Sequence, residues 1–78
     1  MRLVKNIPHP HFLISVFSLS DKYLLQIEYG PYLQGYKVNH SDMMEGTEGL
    51  EKAVSKEFVE KCLKRFKEMH EDFLSALN

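Results

Sequence analysis

The sequence predicts an α+β fold: an antiparallel β-meander of three to four strands, then a short helical turn and one long C-terminal helix packed across one sheet face. Residues 11–39 alternate apolar with polar side chains between turn residues, which is typical of half-buried strands. From residue 55 the apolar residues recur every three or four positions, which is the period of an amphipathic helix. At 78 residues the chain has the length of one small domain, so we expect a single α+β domain over 1–78.

The three predicted strands lie at 11–18, 23–29 and 32–39. Gly30 and Pro31 separate the last two, because glycine accepts the unusual backbone angles of a tight turn and proline has a fixed one. A two-residue loop there brings mostly apolar residues opposite one another. The expected pairs are Tyr29 with Tyr32, Ile27 with Gln34, Leu25 with Tyr36, and Tyr23 with Val38.

The reversal between the first two strands, at 19–22, lacks the glycine or asparagine that a two-residue loop prefers. We therefore expect a four-residue loop built on a type I turn. The register that follows pairs Phe12 with Tyr29, Ile14 with Ile27, and Val16 with Leu25.

Two helical segments follow the strands. Leu50 and Val54 lie off the apolar stripe of the long helix, so we expect a separate helical turn over 48–54, capped by Thr47. The long helix is predicted over 56–77 with Ser55 as its N-cap, and its length of about 33 Å is enough to cross the sheet. The stripe consists of Phe58, Val59, Cys62, Leu63, Phe66, Met69, Phe73, Leu74 and Leu77.

The first predicted strand is apolar on both faces, although a three-stranded meander places it at an edge of the sheet. An exposed edge of this kind invites aggregation. Either residues Arg2 to Asn6 fold back as a short fourth strand, or a second copy of the chain pairs with this strand or covers the sheet face opposite the long helix. We favour a homodimer, and its expected interface consists of Leu13, Phe17, Leu24 and Leu33.

The composition is that of an ordinary globular protein, with 44% hydrophobic and 27% charged residues and a net charge of −1. No apolar run approaches the roughly 20 residues of a membrane span. The single cysteine excludes an internal disulfide and a multi-cysteine zinc site, which fits a reducing, cytoplasmic setting. The apolar run from Phe12 resembles a signal-peptide core, but His9, Pro10 and His11 stand where that core should begin, so we expect an uncleaved strand.

His9 and His11 are the candidate metal ligands. The proline between them should hold both residues extended, with their imidazoles on the same side, and two such groups could share a zinc or nickel ion. His40 is expected at the opposite end of the sheet, and His70 at the border of the core. We therefore expect no cofactor within one chain, and a metal site completed by a second subunit is the alternative.

Four tyrosines share one predicted sheet face: Tyr23, Tyr29, Tyr32 and Tyr36. Aromatic sheets bind single-stranded nucleic acids by base stacking. The same face must receive the long helix, and no segment is strongly basic, so nucleic-acid binding is the less favoured alternative. Phosphate-binding loops, nucleophile elbows and paired zinc motifs are absent from the sequence, and Cys62 lies centrally in the apolar stripe. We therefore expect a small non-enzymatic intracellular protein that self-associates.

Overall fold

The computed structural model describes residues 1–43 and 45–78, and it confirms the predicted α+β fold. Four antiparallel strands form one sheet in the order β1-β2-β3-β4. A short 3-10 turn at His40–Asp42 connects the sheet to two helices. The elements are β1 (Arg2–Ile7), β2 (Leu13–Ser18), β3 (Lys22–Tyr29), β4 (Tyr32–Asn39), α1 (Thr47–Ala53) and α2 (Lys56–Leu77).

The N-terminal segment forms the fourth strand that the sequence left open. β1 pairs antiparallel with β2, so β2 is an inner strand with a neighbour on each side and has no free edge. The predicted start of this strand at residue 11 is wrong, because the chain bends at Pro10 and His11 and pairing begins at Leu13. In β1 the register shifts between Leu3 and Lys5, as it does at a β-bulge.

The β3–β4 hairpin has the predicted register. Gly30 has a φ of 59°, a left-handed conformation that costs glycine little, and Tyr29 pairs with Tyr32 across the two-residue loop. The other predicted pairs are also present: Ile27 with Gln34, Leu25 with Tyr36, and Tyr23 with Val38.

The β2–β3 connection is the expected four-residue loop. It lies between the paired residues Ser18 and Tyr23, and a hydrogen bond of 2.8 Å from the N–H of Leu19 to the C=O of Lys22 closes it. The register confirms the pairs Ile14 with Ile27 and Val16 with Leu25. Phe12 lies just before β2, yet its ring still meets that of Tyr29 edge to face, with centroids 5.2 Å apart.

The core lies between the sheet and the two helices. Ile14, Val16 and Ile27 on the central strands are at most 1% exposed, and they pack with Cys62 and Phe66 of α2, which are equally buried. Each buried aliphatic or aromatic side chain of this size contributes about 1.5–3 kcal/mol of transfer free energy. The contact between α2 and the central strands is therefore the main source of stability.

α1 is the separate short helix that the sequence predicted, but its cap is different. Gly46 is the N-cap and Thr47 is already the first helical residue, so the predicted capping role of Thr47 is wrong. Leu50 enters the core from α1. Lys5 Nζ lies 2.7 Å from Glu51 Oε2, and this ion pair links β1 to α1.

α2 has the predicted bounds, and the hydroxyl of Ser55 caps it by accepting the N–H of Phe58 at 3.1 Å. At about 33 Å it is longer than a strand of eight residues, which spans about 27 Å. Residues 71–78 are all exposed, including Phe73 and Leu77, so only the stripe as far as Met69 packs against the core. The last two turns of α2 therefore contribute little to the core, and Asp72, Phe73 and Ala76 line a shallow groove beside Pro31 and Tyr32.

The contrast between Phe66 and Phe73 provides a matched test of this arrangement. Phe66→Ala should lower the free energy of unfolding by about 3–5 kcal/mol, because it leaves a cavity in the core. Phe73→Ala, on the same helix at a side chain that is 55% exposed, should change it by less than about 1 kcal/mol. Urea unfolding followed by circular dichroism measures both values. Equal losses for the two variants would contradict the packing described above.

Candidate interaction surface

The sheet face opposite the helices carries all four predicted interface residues. Leu13 and Leu33 are 54% and 48% exposed, and Phe17 and Leu24 are half-buried. Side chains alternate along a strand, so these residues point away from the core residues that neighbour them in sequence. We call this surface the open face. From the strand pairing it comprises Leu3, Asn6, Leu13, Ser15, Phe17, Leu24, Gln26, Glu28, Leu33, Gly35 and Lys37.

The apolar residues of the open face form two groups, one at each end of the strands. Phe17 and Leu24 are directly paired, and Leu3 lies opposite Phe17 and extends this group to the β1 edge. Leu3 is 50% exposed, and sequence reasoning missed it because the bulge in β1 changes the alternation of that strand. At the other end, Glu28 of β3 lies between its two paired residues, Leu13 on β2 and Leu33 on β4.

A polar band separates the two apolar groups. Asn6, Ser15 and Gln26 lie in adjacent positions on neighbouring strands. The Ser15 hydroxyl donates to Asn6 Oδ1 at 3.1 Å, although Ser15 is only 7% exposed. This bond uses only the amide oxygen of Asn6, so a partner that covers the face must still accommodate the amide N–H groups of Asn6 and the amide of Gln26.

His9 and His11 lie close together, but their backbone differs from the expected extended segment. His9 Nδ1 accepts hydrogen bonds from the N–H groups of His11 and Phe12, at 3.1 and 3.2 Å. These bonds bend the chain before β2, so the predicted extended conformation is wrong. They also leave only Nε2 of His9 available for a metal, and the ring centroid of His11 lies 6.0 Å from that of His9.

The other two histidines lie elsewhere, as expected. His40 Nε2 is 3.5 Å from the Ser18 hydroxyl, and His70 Nδ1 is 2.9 Å from the Tyr32 hydroxyl. Within residues 1–43 and 45–78, no group of three or more His, Cys, Asp or Glu side chains is arranged to hold a metal ion. Metal binding by His9 and His11 therefore stays a hypothesis that requires further ligands from another molecule.

A cleft of about 530 Å³ lies between the bend at His9 and the first turns of α2. Phe12, Val59 and Leu63 form apolar walls, and His9 and Lys56 are polar groups at its margin. Its volume falls within the range of small-molecule sites. Its mixed polar lining, with Glu60 beside these basic groups, does not select one ligand chemistry.

The four predicted tyrosines share the helix-covered face. Three of the rings contact side chains of α2: Tyr29 with Phe66, Tyr32 with His70, and Tyr36 with Phe58. The fourth ring, that of Tyr23, packs on His40. Tyr23 and Tyr32 pack against the core, whereas Tyr29 and Tyr36 are 42% and 36% exposed beside α2.

A chain of polar contacts between β4 and α2 was not predicted. Gln34 Nε2 donates to the C=O of Cys62 at 2.9 Å, and the Tyr36 hydroxyl donates to Gln34 Oε1 at 3.2 Å. Arg65 Nη1 in turn donates to the Tyr36 hydroxyl at 3.4 Å. Burial raises the pKa of the Tyr36 phenol, and so does the nearby Cys62, while Arg65 lowers it. These contacts fix the position of α2 above β4.

Cys62 lies in the core and is 0% exposed. Burial raises the pKa of its thiol, and hydrogen bonding with Tyr36 and the charge of Arg65 oppose this only in part. The sulfur is therefore held in its neutral form, which is a poor nucleophile.

Within the part of the chain that the structure describes, no helix is long and apolar enough to cross a membrane. We found no significant match between the chain and known protein families, curated proteins or solved structures.

The His9 bend can be tested with two substitutions. His9→Ala removes the acceptor of two backbone N–H groups and should lower the free energy of unfolding by about 1–2 kcal/mol. His9→Asn keeps an acceptor at the equivalent position of the side chain and should recover most of that loss. Urea unfolding of the two variants measures the difference. If the asparagine variant is as unstable as the alanine variant, the side-chain acceptor does not maintain the bend.

Proposed function

We propose that the chain is a small non-enzymatic interaction protein of the cytoplasm that forms a homodimer through its open face. One observation carries the proposal: Leu3, Leu13 and Leu33 are about half exposed on a sheet face that no described element covers. Exposed apolar groups on one surface are typical of interaction sites. The single buried thiol supports the proposed reducing compartment.

A second copy of the chain is a suitable partner for this face because the two ends of the face complement each other. Consider a two-fold axis that lies between the two faces and runs perpendicular to the strands. The apolar group at one end of the open face would then pack against the apolar group at the other end of the partner's face, as a symmetric interface requires. The same axis would also bring Lys37, at one end, close to the partner's Glu28 at the other. Within the described residues neither side chain has an ion-pair partner, so the contact would add an attraction of opposite charges.

The size of the open face indicates how strong this contact should be. Four strands spaced about 4.8 Å apart, two of about 20 Å and two of about 27 Å, present a face of roughly 450 Å². A standard stable interface buries about 800 Å² on each partner. We therefore expect the face-to-face contact by itself to be concentration-dependent and in the micromolar range.

Two matched leucine substitutions test the proposal. Leu13→Lys places a charge in the open face and should shift the chain towards monomer, with an affinity loss of about tenfold or more, because the charge would be buried at the contact. The substitution should not harm the fold, since Leu13 lies opposite Glu28.

The control is Leu74→Lys, which introduces the same charge on the exposed end of α2, at a side chain that is 46% exposed. It should leave self-association unchanged. Sedimentation equilibrium of both variants beside the unmodified chain gives the comparison. Identical association of all three proteins would count against the open face as the interface.

A further inference from the structure

The outer edge of β4 has hydrogen-bonding groups that the sheet does not use. The N–H of His40 donates to the C=O of Asp21 at 2.9 Å, which continues the β3–β4 ladder by one step. Backbone bonds in an antiparallel pair alternate, so every second residue of β4 from Tyr32 to Val38 bonds to β3. The residues between them direct their N–H and C=O groups to the free edge: Leu33, Gly35, Lys37 and Asn39.

The two edges of the sheet differ in a way that points to β4. β1 has only six residues, contains the register shift between Leu3 and Lys5, and carries two basic side chains. Bulges, charges and short length are the features that protect an edge strand from pairing. β4 has eight residues that pair with β3 without a register shift, and it contains no proline. It is therefore the edge that remains suited to accept another strand.

We propose that β4 pairs antiparallel with β4 of a second copy, with Tyr36 at the two-fold axis, so that two four-stranded sheets become one continuous sheet. The inference goes beyond the proposed function, because it uses a sheet edge and not the open face. It rests on that proposal only in taking a second copy as the partner.

The positions of the outward groups support this register. Leu33, Gly35, Lys37 and Asn39 are arranged symmetrically about residue 36. With Tyr36 opposite the partner's Tyr36, Leu33 pairs with the partner's Asn39 and Gly35 with the partner's Lys37. Every outward N–H on this edge then has a backbone acceptor, and every outward C=O has a donor.

Neighbouring registers are less favourable. Centring the pair on Lys37 would place that side chain directly opposite the partner's Lys37, and like charges in opposed positions are destabilising. Centring it on Gly35 would require Asn39 to bond outside the strand, to the partner's Pro31. The Tyr36 register also buries two tyrosine rings together at the axis, where Tyr36 is at present 36% exposed.

Edge pairing would also change the open face. The two open faces would lie side by side on one continuous sheet and present roughly 900 Å², which reaches the size of a standard interface. Face-to-face packing would then join two edge-paired dimers. The complete assembly is therefore expected to contain twice as many chains as a dimer held by either contact alone.

The test compares Gly35→Pro with Gly35→Ala by sedimentation equilibrium. Proline removes an N–H that points away from β3, so the hairpin should keep its ladder, while the contact with a second β4 loses a bond at each symmetric position. Alanine keeps the N–H, and its Cβ would lie 3.7 Å from Leu24 Cδ1, an ordinary contact. Both substitutions add carbon atoms to the open face at Gly35, so the alanine variant is the reference, and we expect the proline variant to have half the assembly mass of the alanine variant.

Amide hydrogen exchange on the unmodified chain keeps the test decisive if the proline variant does not fold. The N–H groups of Gly35 and Lys37 should exchange about tenfold more slowly at high than at low protein concentration. The N–H of Asn6, on the β1 edge, should show no such change. Rates at Gly35 and Lys37 that do not depend on concentration would overturn the inference, as would equal masses of folded Gly35→Pro and Gly35→Ala.

The Leu13→Lys variant separates this inference from the proposed function. If Gly35→Pro halves the mass and Leu13→Lys has no effect, the β4 edge pairs and the open face does not. If Leu13→Lys reduces association and folded Gly35→Pro does not, the edge inference fails and the open-face dimer stands.

Discussion

The packing of α2 on one face of the sheet is the interaction on which the rest of the structure depends. Phe66 lies at its centre, and its ring centroid is 5.7 Å from those of both Phe12 and Tyr29. One long helix and one short helix can cover only one face of a four-stranded sheet. The contact that forms the core therefore leaves the opposite face exposed. A chain of this length has no further element to cover that face, and its apolar side chains remain at the surface.

The position of the helix is set by polar contacts as well as by apolar burial. Gln34 is nearly buried on β4 and donates to the backbone of α2 at Cys62, while Arg65 reaches the Tyr36 hydroxyl from above. Buried polar pairs of this kind are specific in direction, whereas apolar contacts are not. They hold α2 over the outer strand, and β4 pairs with β3 without a register shift up to Asn39.

Local rules were sufficient to predict most of the fold. The Gly30-Pro31 turn and the alternation around it specify the β3–β4 register, and the change to a helical period after Ser55 specifies α2 to the residue. These features depend on neighbours in sequence. The fourth strand remained one of two alternatives. A strand that is apolar on both faces indicates that something must protect it, but its sequence does not say whether residues 2–6 or a second copy of the chain does so.

The errors have a common physical cause, which is a side chain or bulge that changes the backbone locally. The bulge near Leu3 shifts which residues of β1 reach the open face, and nothing in the alternation of that short strand indicates it. His9 accepts backbone N–H groups from its neighbours, which bends a segment that its prolines alone would keep extended. The four predicted interface residues share a face, as expected. The polar band that separates them into two groups could not be predicted, because it depends on the pairing of three strands.

Sedimentation equilibrium of the unmodified chain, from low to high micromolar concentration, tests the central claim of self-association most directly. We predict that the average mass rises with concentration above the 9.1 kDa of one chain, towards whole multiples of it. A mass that stays at 9.1 kDa over the whole range would contradict the claim, because both the open face and the β4 edge would then be exposed in a stable monomer.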